Sequence, residues 1–172
     1  MSVLETPRVR LRPLTTDDAP FLLELLTDAD FLRHVGDRGV HSLADAERYV
    51  GDGPAAMRAR FGFALQALER RTDAQPLGMC GLLRRDSHPD VEIGYALLPR
   101  ARGQGYAREA AAATLEWAFG ILKLPRVVAL VAPGNAASIR ILEKLGMRCE
   151  GTVPFSAAGG ESLFYVLERR PP

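Results

Sequence analysis

A mixed α/β fold, one central sheet with helices on its faces, is what this 172-residue chain predicts. Three observations carry that expectation. Strand-like and helix-like segments follow one another in the order β-α-α-β-β-β-α-β-α-β-β. No internal repeat and no linker divides the chain, whose length suits one domain with a sizeable core, so residues 1–172 are read as a single domain. A glycine turn, "RGQGYA", joins an apolar strand to a helix and then to a further strand, the first unit able to make a right-handed parallel crossover.

The elements follow in order. "RVRLRPL" alternates charged and apolar residues as a half-buried strand does. Thr15 or Thr16 can cap the next helix, whose first turn carries Asp17 and Asp18 and whose "LLELL" stripe is core at helical spacing. "ADFLRHVGDRGVH" has no clean period and reads as a loop. A second helix starts after Ser42, with Asp45 at the capping-box position, and Gly51 to Pro54 should interrupt it. "FGFALQALE" and "PLGMCGLLRRD" make a hairpin across "RRTDAQ", and "VEIGYALLP" is the next strand. After the glycine turn comes a helix from about Gly105 to Leu122, rich in alanine and so able to lie close on the sheet. The strand "RVVALVAP" follows, then a short helix "NAASIRILEKLG" stopped by Gly146. "MRCEGTVPF" and "ESLFYVLER", joined by "SAAGG", finish the chain as two strands.

Composition narrows the function. With 47% hydrophobic and 25% charged residues the chain is ordinary for a globular protein, and a net charge of +1 gives no basic field for nucleic acid. Apolar runs are broken well before the length of a membrane span, and the N-terminus lacks the apolar core of a secretory signal, so a cytoplasmic location is the expectation. Cys80 and Cys149 share no metal-type spacing and read as reduced core residues. His34, His41 and His88 lie in polar, loop-like stretches and read as solvated, with a substrate-facing place as the other use of His34 and His41, and no metal site is expected.

The glycine turn asks for an anion. Glycines let the backbone approach a phosphate, and a helix start presents free N–H groups. A nucleoside-triphosphate loop is excluded, because no G-x-x-x-x-G-K-[ST] run exists. A dinucleotide fingerprint fits Gly103 and Gly105 but puts the bulky Arg108 at its third glycine, and the next strand ends "VAPGN" without the ribose acid. Arg100, Arg102 and Arg108 cluster here and can serve phosphates, although a polar turn with solvated arginines has the same composition.

Arg102-x-x-Gly105-x-Ala107 resembles the R/Q-x-x-G-x-G/A pyrophosphate motif of the GCN5-related N-acetyltransferases (GNAT). "NAASIRILEKLGM", about thirty residues on, resembles a second segment of that family at Asn135, Ser138, Glu143, Lys144 and Gly146. The resemblance covers about Val91 to Met147 and looks most like the branch of ribosomal-protein alanine and serine N-terminal acetyltransferases. It implies the GNAT acyl-CoA N-acyltransferase fold and an enzyme that moves an acetyl group from acetyl-CoA to a primary amine by direct attack in a ternary complex. The acceptor would be a peptide or protein N-terminus or a small-molecule amine. The alternative is a non-catalytic acyl-CoA-binding or sensing module on the same fold.

The resemblance also assigns residues. Arg102, Gly103, Gln104, Gly105, Tyr106 and Ala107 would hold the coenzyme A diphosphate, while backbone near Leu97 and Leu98 would bind the pantetheine between two splayed strands, with one N–H facing the acetyl oxygen. Asn135 would bind pantetheine or an ordered water, and Ser138 would contact the sulfur. Glu92, an acid in an apolar strand, is the base candidate, with a structural ion pair to Arg84 or Arg85 as the other use. Many relatives carry a proton-donating Tyr where this chain has Leu142, so Ser138 takes that place, although a Ser there also suits a helix first turn. Met147 stands for the usual Phe as a core exchange. The acceptor walls would be about residues 28–42 and 155–161, and the protein would be a monomer or homodimer without a membrane or nucleic-acid partner.

Overall fold

The computed structural model describes residues 3–154 and 160–170. Among the described residues, eight strands form one sheet in the order β1-β2-β3-β4-β5-β6-β8-β7. The strands are β1 (Leu4–Glu5), β2 (Val9–Pro13), β3 (Leu65–Arg70), β4 (Pro76–Arg84), β5 (Val91–Leu97), β6 (Arg126–Val131), β7 (Arg148–Val153) and β8 (Ser162–Glu168). The helices are α1 (Ala19–Leu26), α2 (Ala29–His34), α3 (Leu43–Val50), α4 (Ala56–Phe61), α5 (Tyr106–Gly120) and α6 (Ala136–Lys144). All sheet pairings are antiparallel except β5 with β6, the pair that brackets the glycine turn and α5. The mixed α/β architecture with one crossover is therefore as the sequence predicts.

Alternation along the strands builds two cores. Leu68, Cys80 and Leu82 point to the face covered by Ala110, Ala111, Leu115 and Ala118 of α5 and by Leu142 of α6. Ala67 and Met79 point to the other face, covered by Leu22, Leu25 and Leu26 of α1 and by Ala46 and Val50 of α3. The alanines of α5 bring its backbone close to the sheet, as their small volume allows. In β4, Gly81 is pressed against its neighbour: a Cβ there would lie 2.3 Å from the Ala64 carbonyl oxygen.

One local expectation needs correction. Residues 29–34 form a helix rather than a loop, because the Asp28 carboxylate caps it by accepting from the Phe31 N–H at 3.2 Å and Phe31 anchors it in the core. Gly51 to Pro54 end the α-helical ladder of α3 at Val50 but do not break the helical path. The chain passes through a wide π turn at Gly51–Ala55, which accommodates a proline that has no N–H to donate, and continues as α4. The edge strand β1 is only two residues long, too short to carry a period that the sequence could show. The turn expected over "SAAGG" falls largely outside the described residues. Among the described residues, no helix is long and apolar enough to cross a membrane.

One feature of the sheet positions the site. β5 and β6 share a single bridged pair, Glu92 with Val128, and the strands part beyond it. The gap opens toward the glycine turn.

Candidate active site

The glycine turn follows β5 through Leu98 and a 3-10 turn at Pro99–Ala101. Gly103 and Gly105 adopt left-handed φ values of 74° and 82°, which a residue with a Cβ rarely takes. Gly105 caps α5, and Tyr106 and Ala107 bury their side chains in the core. What the first turn of α5 offers outward is therefore its orphan backbone N–H groups, the partial positive end of the helix.

Two arginines of this turn, Arg100 and Arg102, pair within the protein. Arg102 donates to the Leu97 carbonyl at 3.1 Å, to Asp30 at 2.8 Å and to Asp28 at 2.5 Å. It straps the turn to the cap of α2. Arg100 pairs with Glu24 at 2.5 Å, and the Gln104 side chain donates to the Arg100 carbonyl at 3.1 Å. Arg8, which sequence reasoning overlooked, reaches the turn from the loop before β2. It donates to the Gln104 carbonyl at 2.8 Å, pairs with Glu109 at 2.6 Å and lies over the Tyr106 ring.

Leu98 is not brought to the slot. Its N–H donates to the Leu77 carbonyl at 2.8 Å, its own carbonyl accepts from Ala101 at 2.9 Å, and its side chain is fully buried. Ladder alternation then turns the Leu97 N–H toward β6, into the gap between the strands.

A cavity of about 350 Å³ runs along that gap. Gly94, Tyr95 and Ala96 of β5 line one side, Leu130 and Val131 of β6 the other, and Asn135 and Ser138 stand at its edge. Asn135 caps α6, its Oδ1 accepting from the Ser138 N–H at 3.2 Å. The Ser138 hydroxyl meets the Tyr95 hydroxyl at 2.9 Å. Burial holds the Tyr95 phenol well above its usual range against the opposing hydrogen bond with Ser138, so it keeps its proton. Tyr95 packs on the same face of the sheet as Val91 and Ile93, and its contact across to α6 is not legible from β5 alone. Leu142 is buried and lines the same cavity.

At the far end of the same cavity stands Glu92, 4% exposed. Its two oxygens accept from Arg85 at 2.7 and 3.3 Å, the ion pair that the sequence allowed as the other use of this acid. His88 does not lie in solvent as expected. Its Nε2 is 3.5 Å from the Glu92 carboxylate and its ring sits edge-on to Phe164. The turn between β4 and β5 folds it back, a contact that no linear motif announces. His34, half-buried, also lines the cavity, whereas His41 lies out in solvent beside Asp37. Cys80 is buried and Cys149 exposed, so only the first fits the core reading.

A sheet that opens after one parallel bridge, with a helix N-terminus at one end of the gap and a hydroxyl pair on its edge, is the architecture of an acyl-CoA transferase. The sequence profile of the Acetyltransferase (GNAT) domain matches residues 8–148. The protein YkkB of Bacillus subtilis is 33% identical over 153 residues, 87% of each chain. The crystal structure of an acetyltransferase from Agrobacterium tumefaciens superposes with a TM-score of 0.83 at 28% identity, over 98% of this chain and 95% of that one. A ribosomal L7/L12 α-N-protein acetyltransferase in complex with coenzyme A superposes with the same TM-score of 0.83, over 97% and 98%, but at 16% identity, which speaks for the fold alone. The chain belongs to the GNAT acetyltransferase family, and it is an acetyl-CoA-dependent acetyltransferase.

Proposed function

We propose that the protein transfers the acetyl group of acetyl-CoA to a primary amine, on a peptide N-terminus or a small molecule, by direct attack in a ternary complex. The observation that carries this reading is the continuity of one cavity, from the hydroxyl pair of Ser138 and Tyr95 to the buried carboxylate of Glu92. A thioester seated in the gap and an amine entering from the other end would meet inside it.

The residues divide the work. Backbone N–H groups from Gly103 to Ala107 hold the diphosphate at the start of α5, with Arg102 and Arg8 bracing the turn. The Leu97 and Tyr95 side of β5 offers its free edge to the pantetheine and an N–H to the acetyl oxygen as charge develops there. Glu92, as a carboxylate an acceptor only, takes the proton that the attacking amine loses. Ser138 donates to the departing thiolate, and the Tyr95 phenol, which retains its proton, backs it. Asn135 fixes Ser138 through the cap of α6.

Calorimetric titration with acetyl-CoA, with NADH as the control ligand, tests the binding half, and thiol release over an amine panel tests the transfer. Ser138→Ala should lower kcat about 100-fold, and Glu92→Gln should lower it similarly. Unchanged turnover in either variant removes that residue from the chemistry.

A further inference from the structure

The end of the cavity that faces away from coenzyme A carries an uncompensated positive charge. Arg38 is half-buried on its wall and makes no hydrogen bond or ion pair among the described residues. Beside it stand Tyr49 on the same wall, the Arg85–Glu92 pair, and Arg84. Glu92 is the one carboxylate among the described lining residues, and both of its oxygens are taken by Arg85. The residues outside the described set are Met1, Ser2, Phe155 to Gly159, Pro171 and Pro172, and none brings a carboxylate side chain. The surplus at this end is cationic.

An arginine cannot shed its proton to escape such a place. Burial and the neighbouring Arg85 both work against its charged form, only partly offset by Tyr49 and Glu92. A desolvated guanidinium next to another guanidinium is costly unless an anion completes it. Coenzyme A does not supply that anion. Its phosphates belong at the glycine turn beyond the C-terminal end of β5, whereas Glu92, next to which Arg38 and Arg85 lie, is at the N-terminal end. Five residues of strand put these roughly 17 Å apart, and the pantetheine between is neutral.

We infer that the Arg38 end of the cavity is an anion subsite for the acceptor, and that the acceptor is an amine that also bears a carboxylate. The guanidinium fork matches a carboxylate with two parallel N–H groups, and Tyr49, which lines the same cavity, carries a hydroxyl that can donate as well. The amine of the same molecule then points along the cavity toward the hydroxyl pair. A polycation such as spermidine is excluded by the same charge. This deepens the proposed acetyl transfer and rests on it for the reaction, though not for the binding.

The test uses the whole protein loaded with coenzyme A, titrated calorimetrically with matched pairs: α-amino acids against their carboxamides, ω-amino acids against theirs, and acidic-residue dipeptide amides against their Asn or Gln counterparts. Spermidine is the cationic control. The same compounds then enter the thiol-release assay with acetyl-CoA. At least one carboxylate member should bind tenfold or more tightly than its amide. Arg38→Gln should erase that ratio, raising KM about tenfold with kcat within twofold, while Arg38→Lys retains part of it. The pair that shows the effect identifies the source, free amino acid or acidic peptide. Carboxylate-selective binding without turnover would uphold the subsite and refute transfer to these amines. Turnover of amides or spermidine at rates equal to the acids would overturn the subsite and leave the acetyltransferase standing. No carboxylate-selective binding, or a ratio indifferent to Arg38→Gln in a variant that melts like the parent, overturns it as well.

Discussion

Replacing Arg102 by alanine separates two uses of the arginine in the glycine motif. In the structure its guanidinium is spent inside the protein, on Asp28 at 2.5 Å, Asp30 at 2.8 Å and the Leu97 carbonyl at 3.1 Å. The Asp28 bond is the weighty one, since that carboxylate is only 14% exposed and caps α2. A charged bond of this kind contributes about 1.5–3 kcal/mol and the carbonyl bond about 1 kcal/mol. Asp30 is half exposed and keeps Arg33, so its share is close to nothing. Arg102 is itself partly in solvent, which brings the expected loss to about 2 kcal/mol. Urea denaturation should show it as a midpoint lower by about 1 M, with a slope near 2 kcal/mol per M. Acetyl-CoA affinity, measured by calorimetry on the folded variant, should fall no more than about threefold, and its salt dependence should hardly change, because no phosphate contact has been removed. An unchanged urea midpoint with a tenfold or greater loss of affinity would refute the reasoning and return Arg102 to the diphosphate.

Thiol chemistry should distinguish the two cysteines: Cys149 is exposed, whereas burial pushes the Cys80 thiol up to about 12 despite opposing hydrogen bonds from Thr114 and the Gly81 backbone. A disulfide reagent at pH 8 should therefore titrate one thiol in the native protein and two in denaturant. Gly81→Ala should lower stability by about 1–3 kcal/mol or abolish soluble expression, since the added methyl would meet the Ala64 oxygen at 2.3 Å; a melting temperature within 1 °C of the parent, roughly the resolution of the measurement, would contradict this packing. For Asp18, burial pushes the carboxyl up, but hydrogen bonds from Arg12 and the Thr15 backbone outweigh it and hold the group below the usual carboxylate range. Its contribution is therefore full above the unfolded value and lost as pH falls toward the folded one. Asp18→Asn should lower the urea midpoint at pH 7 and reduce the further drop between pH 5 and pH 2.

The sequence disclosed what local periodicity encodes. α5 and the strands β2 to β6 are legible because their apolar spacing is their own, and the glycine turn is legible because few residues tolerate its φ values. Two helical stretches were not: α2 depends on a cap by Asp28 that Arg102 steadies from far along the chain, and the π turn at Gly51–Ala55 contradicts the usual breaking power of Gly and Pro. The site divides the same way. Glu92 stands out in the sequence as an acid in an apolar strand, whereas Asn135 and Ser138 are singled out only by the family resemblance. Tyr95, Arg8 and His88 are not legible as participants, because what makes them participants is a partner 40 or more residues away or folded back from a turn. Leu98 was proposed for its place in the strand and lost to the register, which gives its N–H to Leu77.

The parting of β5 from β6 is what makes a single site out of these residues. Glu92 and Tyr95 are three apart on one strand, so in a continuously paired sheet they would project to opposite faces, with the backbone between them. Here the sheet is bridged at Glu92 with Val128 and open beyond it, and both residues line one cavity. The opening also leaves one edge of β5 with N–H and C=O groups that no neighbouring strand satisfies. Such groups are costly to leave dry, and an extended amide-bearing chain laid in the gap satisfies them as a strand would. The same departure of β6 therefore supplies the ligand's hydrogen bonds, the room for the thioester and the passage joining an acid on one face of the sheet to a hydroxyl pair on the other.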